Sequence, residues 1–491
     1  MTADRGAAVG ARTGAKYLES LRDGRNVWHA GRRIEDVTTH RGFAGAAHSL
    51  ARLYDRQHDP TDCEIMTAEW EGHRISTSYL PPTAPEHVAL RRRNTELWAD
   101  ATLGYMGRFP DFCAHLTVGL LDAAELLATG GPRFADNARA YHRHCAINDL
   151  CLTHALNDQF YDRSRSVKDQ SDPDLILHVV RETEDGPIVR GVRNLATLAP
   201  LSQEALVHPN RPRGPGEEDY ALCFAVPMNA PGLTILCRDL YAEFADPERL
   251  PLSTRFDEVD ATLIFDDVLI PWERLFVYRN VALAAQFHRA VAGLDGGFVT
   301  AVRLLRKLDV FVGVATLLTQ WAGREKDPAA QVHLGQLVAD TEILRACLHA
   351  AEVDVVRSPA GYYAACMNSA YRLHGIEASD RAERLLEDLL TSSLVLTGGA
   401  SDLASPEIGS YVERFFRNQA PTTRDHLRLL AVAADMVQSA FAARQQLYER
   451  LQSGEPDNMR RRLSTSPSRD EPAARLLRFI REDWDVPEAE P

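Results

Sequence analysis

The hydrophobic period changes twice along this chain, and that double change constrains the fold more than any single motif. From about Gly14 to about Asn148 apolar residues recur at helical spacing, as in Ala44–Arg56 and Glu86–Leu103, with Pro81, Pro82 and Pro85 between the runs where helices must break. From about Pro173 to Tyr278 short stretches rich in Val, Ile, Leu and Phe alternate with turn residues. LILHVV, GPIVRGVRNLAT, YALCFAVP, GLTILC and DATLIFDDVLIP read as strands. Helical spacing returns from about Val281 to about Leu451, in runs such as Val302–Trp321, Gln331–Val356 and Asp425–Leu451. His208–Asp219 reads as a Pro- and Gly-rich loop and Gln452–Pro472 as a loose polar segment. The final AARLLRFIREDWD reads as a short amphipathic helix suited to docking on a partner subunit. The expected class is therefore α+β. Residues 1–150 are mainly helical, 151–280 form a β domain, 281–451 a helical bundle and 452–491 a tail, since 491 residues exceed one simple core.

Charge and cysteine usage narrow the class of partner. A formal net charge of −14 argues against a nucleic-acid binder, which would carry a basic face. No apolar stretch is long enough for a membrane span, and the N-terminus has no secretory apolar core. Eight scattered cysteines without a CxxC pair point to reduced thiols in the cytoplasm. GxSxG, a P-loop and GxGxxG are all missing, so a nucleotide cofactor would have to be held by other means. His142-Arg-His144-Cys145 invites a metal, but alternate residues diverge on a helix and no second ligand group follows at zinc spacing. No metal is expected.

Three segments carry candidate chemistry. In Gly104-Tyr-Met-Gly-Arg-Phe-Pro-Asp-Phe112, Arg108 sits where a helix must stop. Its permanent charge and donor fork suit an anionic or oxygen-rich group, or a partner such as Asp111. In Leu152-Thr-His154-Ala-Leu-Asn-Asp-Gln-Phe-Tyr-Asp-Arg163, His154 lies between apolar neighbours, as a proton-exchanging group or as a satisfied core histidine. Arg255-Phe-Asp-Glu-Val-Asp-Ala-Thr-Leu-Ile-Phe-Asp-Asp-Val-Leu-Ile-Pro-Trp272 reads as a structural strand and turn into the next helix, with no base in a special setting.

Taken in order, these blocks resemble the 4-hydroxyphenylacetate 3-monooxygenase family. The likeness begins at Thr13–Arg25 and Glu35–His40. It runs through Tyr105–Asp111, the His154 segment, Leu195–Thr197 and Arg255–Arg279, and closes with Thr391–Leu394, Ser401–Leu403 and Phe441–Glu449. It implies an acyl-CoA dehydrogenase-like fold and, usually, a homotetramer. It also implies the oxygenase component of a two-component monooxygenase, which takes FADH2 from a separate NAD(P)H-dependent flavin reductase. With O2 the reduced flavin forms a C4a-hydroperoxide, which hydroxylates a phenol, normally ortho to the hydroxyl.

By the family motif, Arg108 and His154 are the catalytic pair that steadies and protonates the flavin adduct. The same resemblance makes His154, Ala155, Leu156, Phe160, Tyr161, Asp162, Arg163, Thr197, Phe441, Ala442, Ala443 and Arg444 the flavin-lining set, with Arg163 and Arg444 facing FAD's pyrophosphate or polar edge. Arg108, Phe112, His154 and Arg211 would meet the substrate. Two departures bear on that substrate. Phe112 stands where the family has a tyrosine that hydrogen-bonds the phenol, and Leu198–Gln203 followed by His208–Asp219 replaces the family's substrate loop. There Arg211 and Arg213 either reach an anionic group or are solvated loop charges. A specialised aromatic, free or tethered to a carrier protein, fits these changes. So does the same flavin chemistry on a non-phenolic substrate: a heteroaromatic ring, a nitrogen or carbonyl, or an oxidative rearrangement.

Overall fold

The computed structural model describes residues 10–159, 162–395, 398–452 and 455–482. Its N-terminal part is built on helices Arg41–Arg56, Glu86–Ala101, Pro110–Asp122 and Pro132–Asn148. Arg41–Arg56 shows why: Phe43, Ala46, Ala47, Leu50, Leu53 and Tyr54 recur on one face and are buried, and the His40 side chain caps the helix at the Gly42 amide. Pro110 opens its helix at the first position, where a missing N–H costs nothing.

Two sheets form the middle. One has strand order Arg32–Ile34, Val27–His29, Leu233–Cys237, Asp260–Leu269, Pro187–Thr197, His178–Glu182. The other runs Leu275–Tyr278, Leu222–Pro227, Glu204–Val207, Leu152–Ala155. Residues 27–34 thus leave the helical N-terminal part to extend the first sheet, with Val27 paired in parallel to Ile235. The sheets meet through Phe224 and Phe265, whose rings lie 6.0 Å apart. His154 pairs in parallel with Leu206 on one sheet, and Thr197 pairs with Asp260 on the other.

Helices Val281–Gly293, Gly296–Trp321, Pro328–Val353, Ser369–Leu390, Thr423–Val437 and Ala440–Gln452 make the C-terminal bundle. The helical, β, helical order is the expected one; several boundaries differ. The Pro271-Trp272 turn leads into one more strand, Leu275–Tyr278, before the chain becomes helical. Val356 belongs to a short hairpin with Tyr363–Ala364. The run Asp425–Leu451 is two helices, broken where the Ser439 hydroxyl accepts from the Ala442 amide as an N-cap. Gln452–Pro472 is less loose than its composition suggests: it holds helix Pro456–Ser464, led by a proline at its first turn. The tail does form a helix, Asp470–Glu482.

Candidate functional site

Arg108 lies in the turn between Glu86–Ala101 and Pro110–Asp122, and His154 on the buried strand Leu152–Ala155. The fold brings them together around Phe112. The Arg108 guanidinium lies 3.9 Å from the centre of the Phe112 ring, and the edge of Phe112 meets His154 at 5.7 Å between ring centres. All three are buried. Nε and Nη1 of Arg108 and Nδ1 of His154 make no hydrogen bond among the described residues. Buried polar atoms normally have partners, so these nitrogens make the group a candidate site for a ligand's polar atoms. Burial, reinforced by the charge of Arg108 and by His208 and His288, holds the His154 pKa well below the histidine norm. At neutral pH its ring is therefore uncharged, with one nitrogen donating and the other accepting.

The Arg108 turn is fixed from behind. Glu258 accepts the backbone N–H groups of Gly107 and Arg108 and pairs with Arg444 Nη1 at 3.2 Å. Arg444 donates through Nε and Nη2 to Asp260 at 2.9 and 2.7 Å. Asp260 in turn accepts the Thr197 hydroxyl at 2.6 Å and Arg238 Nε at 3.1 Å. Burial disfavours the Asp260 charge, yet Arg444, Arg238 and Thr197 together hold its pKa well below the carboxylate norm. Burial pushes Glu258 up, against the pull of Arg444 and the two amides.

Arg444 and Thr197, both expected beside the cofactor, thus meet through Asp260, and the Arg444 guanidinium is held by two carboxylates. The stretch Arg255–Trp272, expected to be purely structural, supplies both. Sequence reasoning missed them, although a signal existed. Arg444 has Ala440, Phe441, Leu447 and Tyr448 at its helical neighbour positions and no acid among them, so its partner had to come from elsewhere in the chain.

The other expected residues are more dispersed. Ala155 ends the His154 strand, and the Leu156 carbonyl accepts the Asn210 amide at 3.1 Å, which ties the His208–Asp219 loop to it. Arg211 follows on that loop and is exposed. Arg213 is neither solvated nor presented to a ligand: it is buried against Asp158 at 2.8 and 2.9 Å, a carboxylate it shares with Arg193. Asp162 caps the Ser164 amide at 2.9 Å and Arg163 is exposed. Phe441 packs on Tyr105, Ala442 is buried and Ala443 is exposed. Phe160 and Tyr161 lie outside the described residues. Among the described residues no cluster of His, Cys, Asp or Glu is placed to hold a metal.

The chain has relatives. Profiles for the N-terminal and C-terminal parts of 4-hydroxyphenylacetate 3-hydroxylase match residues 13–277 and 285–481. The chain belongs to the 4-hydroxyphenylacetate 3-hydroxylase family. It is 35% identical over 481 residues to the 4-hydroxyphenylacetate 3-monooxygenase oxygenase component of Thermus thermophilus, covering 97% of this chain and 98% of that protein. A crystal structure of the oxygenase component of 4-hydroxyphenylacetate 3-monooxygenase complexed with FAD matches with a TM-score of 0.90 at 34% identity, over 96% of this chain and 99% of the other. A Streptomyces globisporus monooxygenase acting on a 3-amino-3-(3-chloro-4-hydroxyphenyl)propanoyl group carried by a peptidyl-carrier protein is 32% identical, over 91% of this chain and 86% of that protein. The resemblance read from the motifs is the family found, the fold it implied is that of the family's solved oxygenase component, and the activity class it implied, a flavin-dependent aromatic monooxygenase, is the family's.

Proposed function

We propose that this chain is the oxygenase component of a two-component monooxygenase that inserts one oxygen atom of O2 into a phenolic ring, ortho to its hydroxyl, with FADH2 delivered by a separate NAD(P)H-dependent reductase. The observation that carries this reading is the buried Arg108–Phe112–His154 group with its orphaned nitrogens, set in a family scaffold. Those nitrogens fit the carbonyl- and nitrogen-rich edge of an isoalloxazine ring, and the same family motif assigns the strand end His154–Leu156, Asp162, Arg163, Thr197 and Phe441–Arg444 to the flavin. Reduced FAD, when bound, supplies the electrons and activates O2 for transfer.

The chain's own residues do the rest. Arg108 offers fixed N–H donors where negative charge develops, already oriented because Glu258 holds its backbone. The neutral His154 can give a proton from one nitrogen and receive one at the other. Phe112 presents an apolar ring to the substrate and keeps water away from both. The protein fits a cytoplasmic setting, since its eight cysteines are unpaired, and a homotetramer, in which a second copy covers the exposed tail helix. The carrier-bound substrate of the Streptomyces relative makes a tethered aromatic substrate one to test.

A second reading, flavin oxygenation of a non-phenolic substrate, is favoured by Phe112 alone, which cannot hydrogen-bond a phenol. The test supplies enzymatically generated FADH2 and 18O2 with phenols, aromatic amines and carrier-linked phenols. The expected result is one 18O per catechol product, reduced at least about 100-fold in Arg108→Lys and His154→Ala. Oxygen inserted elsewhere than ortho to a hydroxyl supports the second reading. No incorporation into any class, with FADH2 simply reoxidised, overturns both.

A further inference from the structure

His208 was not among the residues picked out from the sequence, yet it stands beside His154 in the same group. It directly follows strand Glu204–Val207, and its backbone N–H donates to the carbonyl of Ala155, next to His154. Its ring lies 6.4 Å from the His154 ring, 5.2 Å from Phe287 and 5.2 Å from His288, stacked on the last at 27°. Phe287 and His288 come from helix Val281–Gly293, so this corner of the pocket is assembled from three separate elements.

The hydrogen bonding of the ring fixes its tautomer. Nδ1 lies 3.2 Å from the carbonyl oxygen of Pro209. A carbonyl only accepts, so Nδ1 carries the hydrogen. Burial, then the neighbouring His288, pushes the ring's pKa down to about 3, so at neutral pH it holds that single proton. Nε2 is then a lone-pair acceptor, left over by the Nδ1 contact with Pro209. Arg108, which meets the His154 neighbour Phe112, is its chemical opposite, a group that only donates. A donor and an acceptor on either side of the Phe112–His154 contact in the chain of neighbours are complementary to a hydroxyl, which accepts at its lone pairs and gives its one proton. Neither nitrogen pattern suits a carboxylate at His208, because a neutral imidazole with its N–H already engaged offers an anion nothing. A metal is equally unsuited, since no group of ligands among the described residues is placed to hold one.

We propose that His208 is a specificity-determining residue whose Nε2 accepts a hydrogen bond from an O–H or N–H carried by the aromatic substrate, the polar contact that Phe112 cannot make. The proposal rests on the monooxygenase reading of the pocket. It assigns the substrate to ring hydroxyl or amino compounds and excludes ethers of the same shape.

The test uses the full chain loaded anaerobically with FADH2 and two probes that differ only in the donor, 4-methylphenol and 4-methylanisole. Affinity for FADH2 is measured first, on wild type and variants, so that failure of the flavin reading shows itself separately. Wild type should bind 4-methylphenol on the order of tenfold more tightly than the ether. His208→Leu should lose that preference while keeping its FADH2 affinity. His208→Gln, which can accept through its amide oxygen, should regain part of it, and that partial rescue separates a hydrogen bond from a packing effect. Equal preference in wild type and His208→Leu overturns the assignment, as does a wild type with no preference for the phenol.

Discussion

At the scale of the residue, the site depends on charges that burial would otherwise suppress. Asp111, next to Phe112, shows how far burial can go. Its carboxyl is fully buried, accepts the Thr95 hydroxyl at 2.6 Å and is pushed up to about 7 by burial, against the pull of Thr95 and Arg91. An aspartate in the unfolded chain titrates near 3.9. As pH rises from the unfolded pKa to the folded one, the unfolded state gives up its proton first, so the stability tied to this group is present below about pH 4 and lost on passing about pH 7. Asp111→Asn keeps an acceptor for Thr95 and never ionises. Urea titrations at pH 5 and pH 8 should therefore show the variant gaining on wild type as the pH rises. A constant difference, or one of opposite sign, would show that Asp111 is ionised throughout and that Arg91 outweighs burial.

At the scale of the element, helix Ala440–Gln452 locks the Arg108 turn in place. Phe441, Arg444, Gln445, Tyr448 and Glu449 recur at helical spacing on one face. Phe441 packs on Tyr105, and Gln445 Nε2 donates to the Tyr105 carbonyl at 2.8 Å. Glu449 receives Arg303 at 2.5 and 3.0 Å and Lys307 at 3.3 Å. Tyr448 leaves room for no side chain at Gly107: a Cβ there would fall 2.0 Å from its Cε1 and Oη. Gly107→Ala should therefore displace the turn that carries Arg108, costing about 1–3 kcal/mol of stability and most of the activity. Adding Tyr448→Ala opens the space, so the double variant should outperform Gly107→Ala in both thermal melting and turnover, a coupling that independent sites would not show. A double variant worse than either single one would mean that Tyr448 contributes something other than bulk. The helix itself was legible, because its apolar stripe repeats in the sequence. Its separation from Thr423–Val437 was hidden, since apolar spacing continues through Gln438 and Ser439 and only the serine cap marks the break. The partners of its polar face were hidden too: Glu258 and Asp260 lie nearly two hundred positions away, and periodicity carries no information on long-range pairing.

At the scale of the whole molecule, the order of domains could be read from the two changes of period, and Arg108 and His154 were singled out as candidates by family motifs that keep local spacing. The entry of residues 27–34 into the central sheet could not, because three-residue strands are too short for alternation to register. His208 escaped for a related reason. Its role comes from a backbone carbonyl and from a helix some eighty positions on, in a loop whose Pro and Gly content signals only a turn. The tail poses the remaining question of assembly. Helix Asp470–Glu482 is exposed along its whole described length, with Leu476, Leu477, Phe479 and Ile480 showing 44–59% of their surface. A helix of 13 residues is marginal alone in water, and burial of an apolar face is what usually sustains one. Since Leu476, Leu477 and Ile480 stay exposed among the described residues, a second copy is the proposed cover. Truncation after Ser464 should leave the melting of the remaining protomer fold recognisable while lowering the mass measured by light scattering at micromolar concentration. A truncated chain that keeps the full-length oligomer mass would show that the tail plays no part in assembly. One that becomes monomeric yet still binds FADH2 would place the flavin site within a single protomer. One that loses both together would mean that the site is completed across the interface the tail maintains.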